Sequence, residues 1–369
     1  MANKSKVIIA GFAIFSMLFG SGNVVFPLIV GKTFSDHYLI SIVGWLLTAV
    51  IIPIFGYFGA FLFEGDHKKY LSPLGKNIGF LLMILLMAMA GPFGVMGRGV
   101  NVSFGGLHVV YPELSETLFN LTYCVLMTVI AWNPGKVVQI IGAIFTPLKF
   151  GGIATVTVGA MYFGMSFSKI PTTGTALFGA FYGSLKSGFQ TMDLLASFIM
   201  GSAVYAYLKK SLPQDTNRIS FLKLSAVSCL IGAIALSIAY AGLIVIGAQY
   251  SGELIGIPNE SLFTKIAFIS MGAGASLFVA IIIAVCCLAT NIGLTSVFTD
   301  FVHVDILNKK YLSRNAVLLA TGGITFVMSL LGFDQICKIL GVILEAVYPA
   351  LILFVILRIV YFFVKKMYN

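Results

Sequence analysis

Apolar stretches of helical length, split by short polar segments, run from Val7 almost to the end of the chain. About 20 consecutive apolar residues cross the hydrocarbon core of a bilayer as a helix, so each stretch predicts a membrane span. The first runs from Lys6 to Val30, the second from Leu39 to Phe63, the third from Asn77 to Val110 and the fourth from Thr117 to Trp132. Asn133-Pro134-Gly135-Lys136 then carries both turn and helix-restart chemistry. A fifth span follows to Phe167, with Pro147 as a kink. Lys169 to Lys186, rich in Thr, Gly and Ser, reads as a connecting segment at the midpoint. Beyond it lie a sixth span reaching Leu208, a seventh from Phe221 to Ala248 and an eighth from Ala275 to Val302. A ninth from Arg314 to Leu331 and a tenth from Gln335 to Phe363 complete the set, and Glu260 to Met271 suits a re-entrant or surface helix.

Two of these spans are interrupted by polar and glycine residues. The first carries Phe19-Gly20-Ser21-Gly22-Asn23-Val24-Val25-Phe26-Pro27 near mid-membrane depth, and the sixth opens on Ser187-Gly188-Phe189-Gln190-Thr191-Met192-Asp193. An unpaired backbone N–H or C=O in hydrocarbon costs several kcal/mol, so a broken helix is tolerated there only inside protein or along a wet cavity. Unwound backbone offers carbonyls to a cation, and the half-helix that follows offers N–H groups and a positive dipole end to an anion such as a carboxylate. One such break is also what a simple kink with close glycine packing would give. Two breaks at corresponding positions in two halves are a pointer to a midplane site in a secondary transporter. The third span is interrupted too, by the glycine-dense Gly91 to Gly99.

Composition fixes the class and the sidedness. Of 369 residues, 59% are hydrophobic and only 10% charged, against about 25% charged in soluble domains. The chain is therefore a polytopic membrane protein with no room for a sizeable soluble domain. Its net charge of +10 reflects topology rather than a nucleic-acid partner. With the N-terminus inside, the inner loops and tails take Lys4, Lys6, Lys68, Lys69, Lys76, Lys136, Lys209, Lys210, Arg218, Lys223, Lys309, Lys310, Arg314, Arg358, Lys365 and Lys366. The outer loops take only Lys32, Lys169, Lys186, Lys265 and Lys338, and Arg98 and Lys149 fall within spans. The positive-inside rule thus supports ten helices with both termini cytoplasmic. Five helices per half is an odd number, so the halves, residues 6–168 and 187–365, have opposite orientations.

Other chemistries find little support. The five cysteines lie in or beside apolar segments without CxxC or Cys/His ligand spacing, which fits buried small hydrophobes. Neither HExxH nor GxSxG occurs, and no charged ring or carbonyl-filter repeat suggests a channel. No enzyme activity is expected. The lysine-bearing N-terminus imitates a signal peptide, but Pro27, the polar mid-segment and the missing small-residue cleavage site favour a retained first helix.

The two interruptions, together with Asn133-Pro134-Gly135-Lys136, Gln190-Thr191-Met192-Asp193-Leu194-Leu195-Ala196 and Cys287-Leu288-Ala289-Thr290-Asn291-Ile292-Gly293-Leu294-Thr295, resemble the signatures of the bacterial branched-chain amino acid:cation symporters (system II carriers, BrnQ-like). The match runs in order along nearly the whole chain. It implies an all-α, LeuT-type fold of five plus five inverted helices with helices 1 and 6 broken. It also implies Na+- or H+-coupled uptake of leucine, isoleucine and valine across a bacterial inner membrane, with the bilayer and these substrates as partners, no nucleic acid and no prosthetic group. Family members have about twelve spans, so the chain reads as a C-terminally short member that keeps the ten-helix core. The same fold carrying another small amino acid or a nucleobase is the nearest alternative.

By likeness to that fold, backbone N–H groups around Gly20, Ser21, Gly22 and Asn23 would hold the substrate carboxylate, with Asn23 also a ligand for cation or substrate. Carbonyls near Phe189, Gln190 and Thr191 would take the ammonium, and Phe189, Met192 and Leu294 would line the pocket for a branched side chain. A Na+ ion would find carbonyls near Ser16 and Phe19 and the Thr290 hydroxyl. Where family members commonly show two adjacent hydroxyl residues, Thr290 stands between Ala289 and Asn291. Intramembrane charges are expensive, which makes Asp193 and Arg98 candidates for coupling or gating, with a buried ion pair or a snorkelling Arg98 as the alternative. Glu345 reads as a helix-packing or vestibule residue.

Overall fold

The computed structural model describes residues 2–132, 150–166, 176–213 and 217–368. The Asn133-Pro134-Gly135-Lys136 motif, Pro147, Lys149 and Lys169 lie outside them. The described chain is helical: α1 (Ala2–Leu18), α2 (Ser21–Thr33), α3 (Tyr38–Leu46), α4 (Ile52–Leu62), α5 (His67–Leu71), α6 (Gly75–Ala90), α7 (Val95–Val110), α8 (Glu116–Trp132), α9 (Phe150–Phe163), α10 (Leu177–Gly188), α11 (Asp193–Ser211), α12 (Arg218–Gln249), α13 (Leu262–Met271), α14 (Ala273–Phe301), α15 (Arg314–Ser329) and α16 (Phe333–Tyr368). One π turn, Leu47–Ile51, joins α3 to α4 into a single span. Among the described residues, five stretches are long and apolar enough to cross a membrane. Two bent pairs, α1 with α2 (71°) and α10 with α11 (41°), do so together. With α8, α9 and α15 they account for the ten expected spans.

Local chemistry sets several boundaries. Asn217 caps α12 by accepting from the Ser220 N–H at 2.8 Å, and Ser313 caps α15 by accepting from Ala316 at 3.2 Å. Gly91-Pro92-Phe93-Gly94 breaks the third span into α6 and α7, so the interruption is shorter than the glycine run and leaves Gly97, Arg98 and Gly99 helical. The first-span break is also narrow. Only Phe19 and Gly20 leave the helix, and Pro27 continues inside α2. Lys169 to Lys186 differs more from expectation, because Leu177 onward forms α10, the first half of the sixth span. Glycine and serine masked this half-helix in the sequence, although Leu177, Phe181 and Leu185 recur at helical spacing. As a consequence the second break lies inside a span rather than at its front. Lys32, Lys186 and Lys338 likewise fall within helices rather than loops, and Lys186 pairs with Glu345 at 2.8 Å across α10 and α16.

The packing repeats itself between halves. The first span (α1, α2) lies along the seventh (α12), and the sixth (α10, α11) lies along the second (α3, α4). Exchanging the halves turns one of these pairings into the other. The third span's α7 packs on the eighth, α14, and α8 on α15, each a pair that the same exchange maps onto itself. This is the pattern of a five-plus-five repeat. Outward faces carry exposed apolar side chains such as Val227, Leu230, Ile234 and Ile238 on α12, a stripe at helical spacing that suits lipid.

Backbone contact between α2 and α12 depends on two glycines. A Cβ at Gly31 would collide with the Ile244 carbonyl, and one at Gly247 would reach the Leu28 carbonyl at 2.5 Å. Gly31→Val should therefore cost about 1–3 kcal/mol through forced separation and lower the melting temperature of detergent-purified protein. Gly323, with open space around its Cβ position, is the control, and Gly323→Ala should leave the melting temperature unchanged or raised. Equal melting of both variants would contradict the packing described.

Candidate functional site

Both breaks open onto one internal cavity. It is lined from the first span by Gly20, Ser21, Gly22 and Asn23, and from the sixth by Thr191, Met192 and Asp193. Arg98 and Val95 on α7, Ala90 on α6, and Thr290 and Leu294 on α14 close the opposite side. The volume is about 40 Å³; since one water needs roughly 10–15 Å³ on this measure, the cavity holds a few waters.

A hydrogen-bonded knot ties the breaks together. Asn23 donates from Nδ2 to Asp193 Oδ2 at 2.7 Å and to the Tyr240 hydroxyl, while its Oδ1 accepts from the Gly20 N–H at 3.2 Å. Tyr240 in turn donates to the same Asp193 oxygen at 3.0 Å. Asn23, Asp193 and Tyr240 are 2%, 1% and 0% exposed, so α2, α11 and α12 meet through buried polar groups bonded to one another. Met192 caps α11 in the left-handed region, at φ 57°, a conformation costing on the order of 1–3 kcal/mol for a non-glycine residue. That turn follows the 3-10 turn Phe189–Thr191 and sets Asp193 at the first position of α11.

The other sequence-predicted residues divide. Thr290 lines the cavity, and its Oγ1 donates to the Cys286 carbonyl at 3.0 Å. Leu294 and Met192 supply apolar wall. Phe189 instead packs on Tyr348, with ring centroids 4.8 Å apart. Gln190 reaches away to the Cys337 carbonyl, and its own carbonyl accepts from Arg98 Nη1 at 2.8 Å. Ser16 and the Phe19 ring do not line the cavity; Phe19 stacks between Phe15 and Tyr240. Arg98 and Asp193 both face the cavity, yet no ion pair joins them, in contrast to the Lys186–Glu345 pair. Asn291, beside Thr290, donates to the Met96 carbonyl at 2.9 Å and to Tyr123 at 3.3 Å, which locks α14 to α7 and α8.

Sequence reasoning missed Tyr240. The available signal was a lone tyrosine within an apolar span, since a buried tyrosine hydroxyl needs a partner. It also missed Phe26, whose ring lies under the Arg98 guanidinium at 5.5 Å. Gly22 makes that approach possible: a Cβ there would sit 3.2 Å from the Phe26 ring and 3.7 Å from the Gln190 carbonyl.

A helical bundle with two broken spans meeting at a buried polar cavity has the LeuT-type fold. Its fold is similar to an inward-facing conformation of Mhp1, with a TM-score of 0.62 over 95% of this chain and 75% of that one at 11% identity. The chain belongs to the branched-chain amino acid transport protein family, whose model matches residues 3–369. It is 27% identical to the branched-chain amino acid permease BrnQ of Bacillus subtilis, across 94% of this chain and 79% of that protein. It is 26% identical to the Escherichia coli K12 permease of the same name, across 96% and 80%. With the branched-chain amino acid transport system 3 carrier protein of Pseudomonas aeruginosa it shares 28%, across 96% and 81%.

Removing the Tyr240 hydroxyl leaves Asp193 and Asn23 each short of a partner. Hydrogen bonds to charged groups contribute about 1.5–3 kcal/mol, so Tyr240→Phe should lower the melting temperature of the purified protein measurably. A variant melting like the wild type would show that the knot does not hold the breaks together.

Proposed function

We propose that this protein imports leucine, isoleucine and valine by cation symport, through alternating access around the breaks in the first and sixth spans. It does so as a multi-pass protein of a bacterial inner membrane with both termini cytoplasmic. The observation that carries this reading is the convergence of both breaks, Asp193 and Arg98 on a single buried cavity in a chain whose relatives are named for branched-chain amino acid transport. The apolar wall of Met17, Val95, Met192, Ile199, Met200 and Leu294 suits a branched aliphatic side chain. One methylene in such a wall is worth about 1–3 kcal/mol, so the three substrates are separated only modestly.

The cytoplasmic route in this reading is a groove near the site. This groove, of about 1160 Å³, lies between α6 and the end of α14, from Met87 and Val297 to Asp66, Lys76, Asp300 and Asp305. Met87 is one turn from Ala90, and Val297 one turn from Leu294, so the groove and the cavity are lined by adjacent turns of the same two helices. Parting of those turns delivers the substrate to the lysine-rich side, and parting of the opposite side admits it. The cavity expands from its present 40 Å³ when an amino acid enters.

Two sites are the alternatives for the coupling ion. Thr290 with backbone carbonyls near Ser16 and Phe19 offers oxygens to Na+, and Asp193 offers a carboxylate to a proton. Labelled leucine uptake into proteoliposomes, with an imposed Na+ gradient in one arm and a proton gradient in the other, should be concentrative in at least one. Na+-driven uptake assigns coupling to the Thr290 oxygens, and uptake driven only by protons assigns it to Asp193. Failure of leucine, isoleucine and valine to accumulate in either arm would refute the substrate assignment. Gly22→Leu, which fills the space between α2, Phe26 and the Gln190 carbonyl, should abolish uptake while the protein still inserts in the membrane. Unchanged uptake by that variant would count against the assigned site.

A further inference from the structure

Among the described residues, Arg98 is a buried cation with no carboxylate in direct ion-pair contact. It is 1% exposed, lies in the middle of a membrane-spanning pair of helices, and lines the cavity between the breaks. Its Nη1 donates to the Gln190 carbonyl at 2.8 Å, its plane rests on the Phe26 ring at 5.5 Å, and the Cys337 thiol lies against it. Its Nε has no hydrogen-bond partner, and no carboxylate oxygen among the described residues pairs with it. A buried, unpaired charge is expensive in a membrane interior and marks a site where a partner arrives.

The cavity presents three features that one ligand would satisfy together. Arg98 offers a guanidinium edge. The first turn of α2, at Ser21, Gly22 and Asn23, presents backbone N–H groups that have no earlier helical carbonyl to reach. Asp193 offers a carboxylate, held on one oxygen by Asn23 and Tyr240 and in no direct ion-pair contact with Arg98. Positive and negative groups therefore face one small space without touching. A ligand carrying a carboxylate and an ammonium on one carbon supplies the missing opposite charge to each.

We propose that Arg98 is the carboxylate anchor of the transport site, working with the N-terminal turn of α2, and that Asp193 receives the ammonium, so that the cavity selects zwitterionic α-amino acids over the corresponding amines and acids. The proposal rests on the substrate reading given above. It also reassigns the Gln190 carbonyl: already accepting from a guanidinium, this oxygen positions Arg98 rather than taking an ammonium. Phe26 is a second positioning residue, because its ring fixes the plane of the guanidinium from below.

The test compares ligands that differ only at the charged ends. Leucine, leucinamide, which lacks the carboxylate, and 4-methylpentanoate, which lacks the ammonium, are titrated as competitors of labelled leucine binding to purified wild-type protein. The same titration is made on Arg98→Lys and Phe26→Leu. In the wild type, leucine should compete at least about tenfold better than either analogue. In Arg98→Lys the leucine affinity should fall by at least about tenfold while that of leucinamide stays near its wild-type value, so their ratio collapses. Phe26→Leu, which leaves the charge in place, should narrow the same ratio in part and keeps the inference testable where the arginine variant does not fold.

Equal competition by leucine and leucinamide in the wild type would overturn the anchor. So would a wild-type ratio retained in folded Arg98→Lys, or in Phe26→Leu where the arginine variant does not fold. Wild-type protein that binds none of leucine, isoleucine and valine would instead remove the substrate reading, and with it the anchor for that substrate. The first result separates amino acid from amine by their ends, and the last by their side chains, so the two failures are distinct.

Discussion

A helix broken inside hydrocarbon must give its freed backbone and polar groups protein partners, and here the knot of Asn23, Asp193 and Tyr240 does so. The constraint is severe because water, which would satisfy such groups elsewhere, is absent from the membrane core. The Asn23 side chain engages the Gly20 N–H with one end and α11 and α12 with the other, so the first break is closed by the sixth and seventh spans rather than by itself. Everything around the cavity follows from this arrangement. Span six can carry a left-handed Met192 because its neighbours fix the turn, and span seven can carry a tyrosine because the breaks give its hydroxyl work to do.

Much of this was legible before any coordinates. The apolar lengths defined the spans, and paired glycine-polar interruptions marked the two breaks. Asp193 and Arg98 stood out as charges where charges are costly, and both line the cavity. What the sequence hid has physical causes. The half-helix α10 was disguised because glycine and serine are frequent both in loops and at close helix contacts, as at Gly188 against Thr48. Gln190 and Phe189 sit in the broken stretch, but a 3-10 turn rotates successive side chains by about 120°, so only part of the stretch can face the cavity. Tyr240 and Phe26 are distant in sequence from the residues they serve, and no local pattern encodes a contact across 47 or 217 positions.

The contacts also divide the bundle in a way that bears on transport. Spans one, two, six and seven pack on one another through α1, α2, α3, α4, α10, α11 and α12. Spans three, four, eight and nine pack together through α7, α8, α14 and α15, where Asn291 bonds α14 to both neighbours. The cavity lies on the seam between these groups, with Asn23 and Asp193 on one side and Arg98, Thr290 and Leu294 on the other. Polar bonds hold each group internally, whereas the apolar side chains Met17, Ala90, Met200 and Leu294 contribute to the cavity wall at the seam. Apolar contact is non-directional and tolerates sliding better than a hydrogen bond of fixed geometry.

Under the proposed anchoring, that division sets opposite ends of a zwitterion against opposite sides of the seam. Asp193 belongs to the group held by the knot, and Arg98 to the group held by Asn291, although its Nη1 reaches across to the Gln190 carbonyl. A ligand bridging Arg98 and Asp193 would therefore tie the two groups together, adding to the apolar contacts and to the Arg98–Gln190 bond that already cross between them. Bridging changes the relative stability of arrangements in which the charges are near or far apart. A ligand shifts such an equilibrium only by its differential affinity for the two states, and a pair of charges on separate bodies provides that difference. An aliphatic side chain alone, contacting both bodies through non-directional forces, provides much less. The charged ends of the substrate would thus drive the conformational change, and its branched end would decide which amino acids are carried through it.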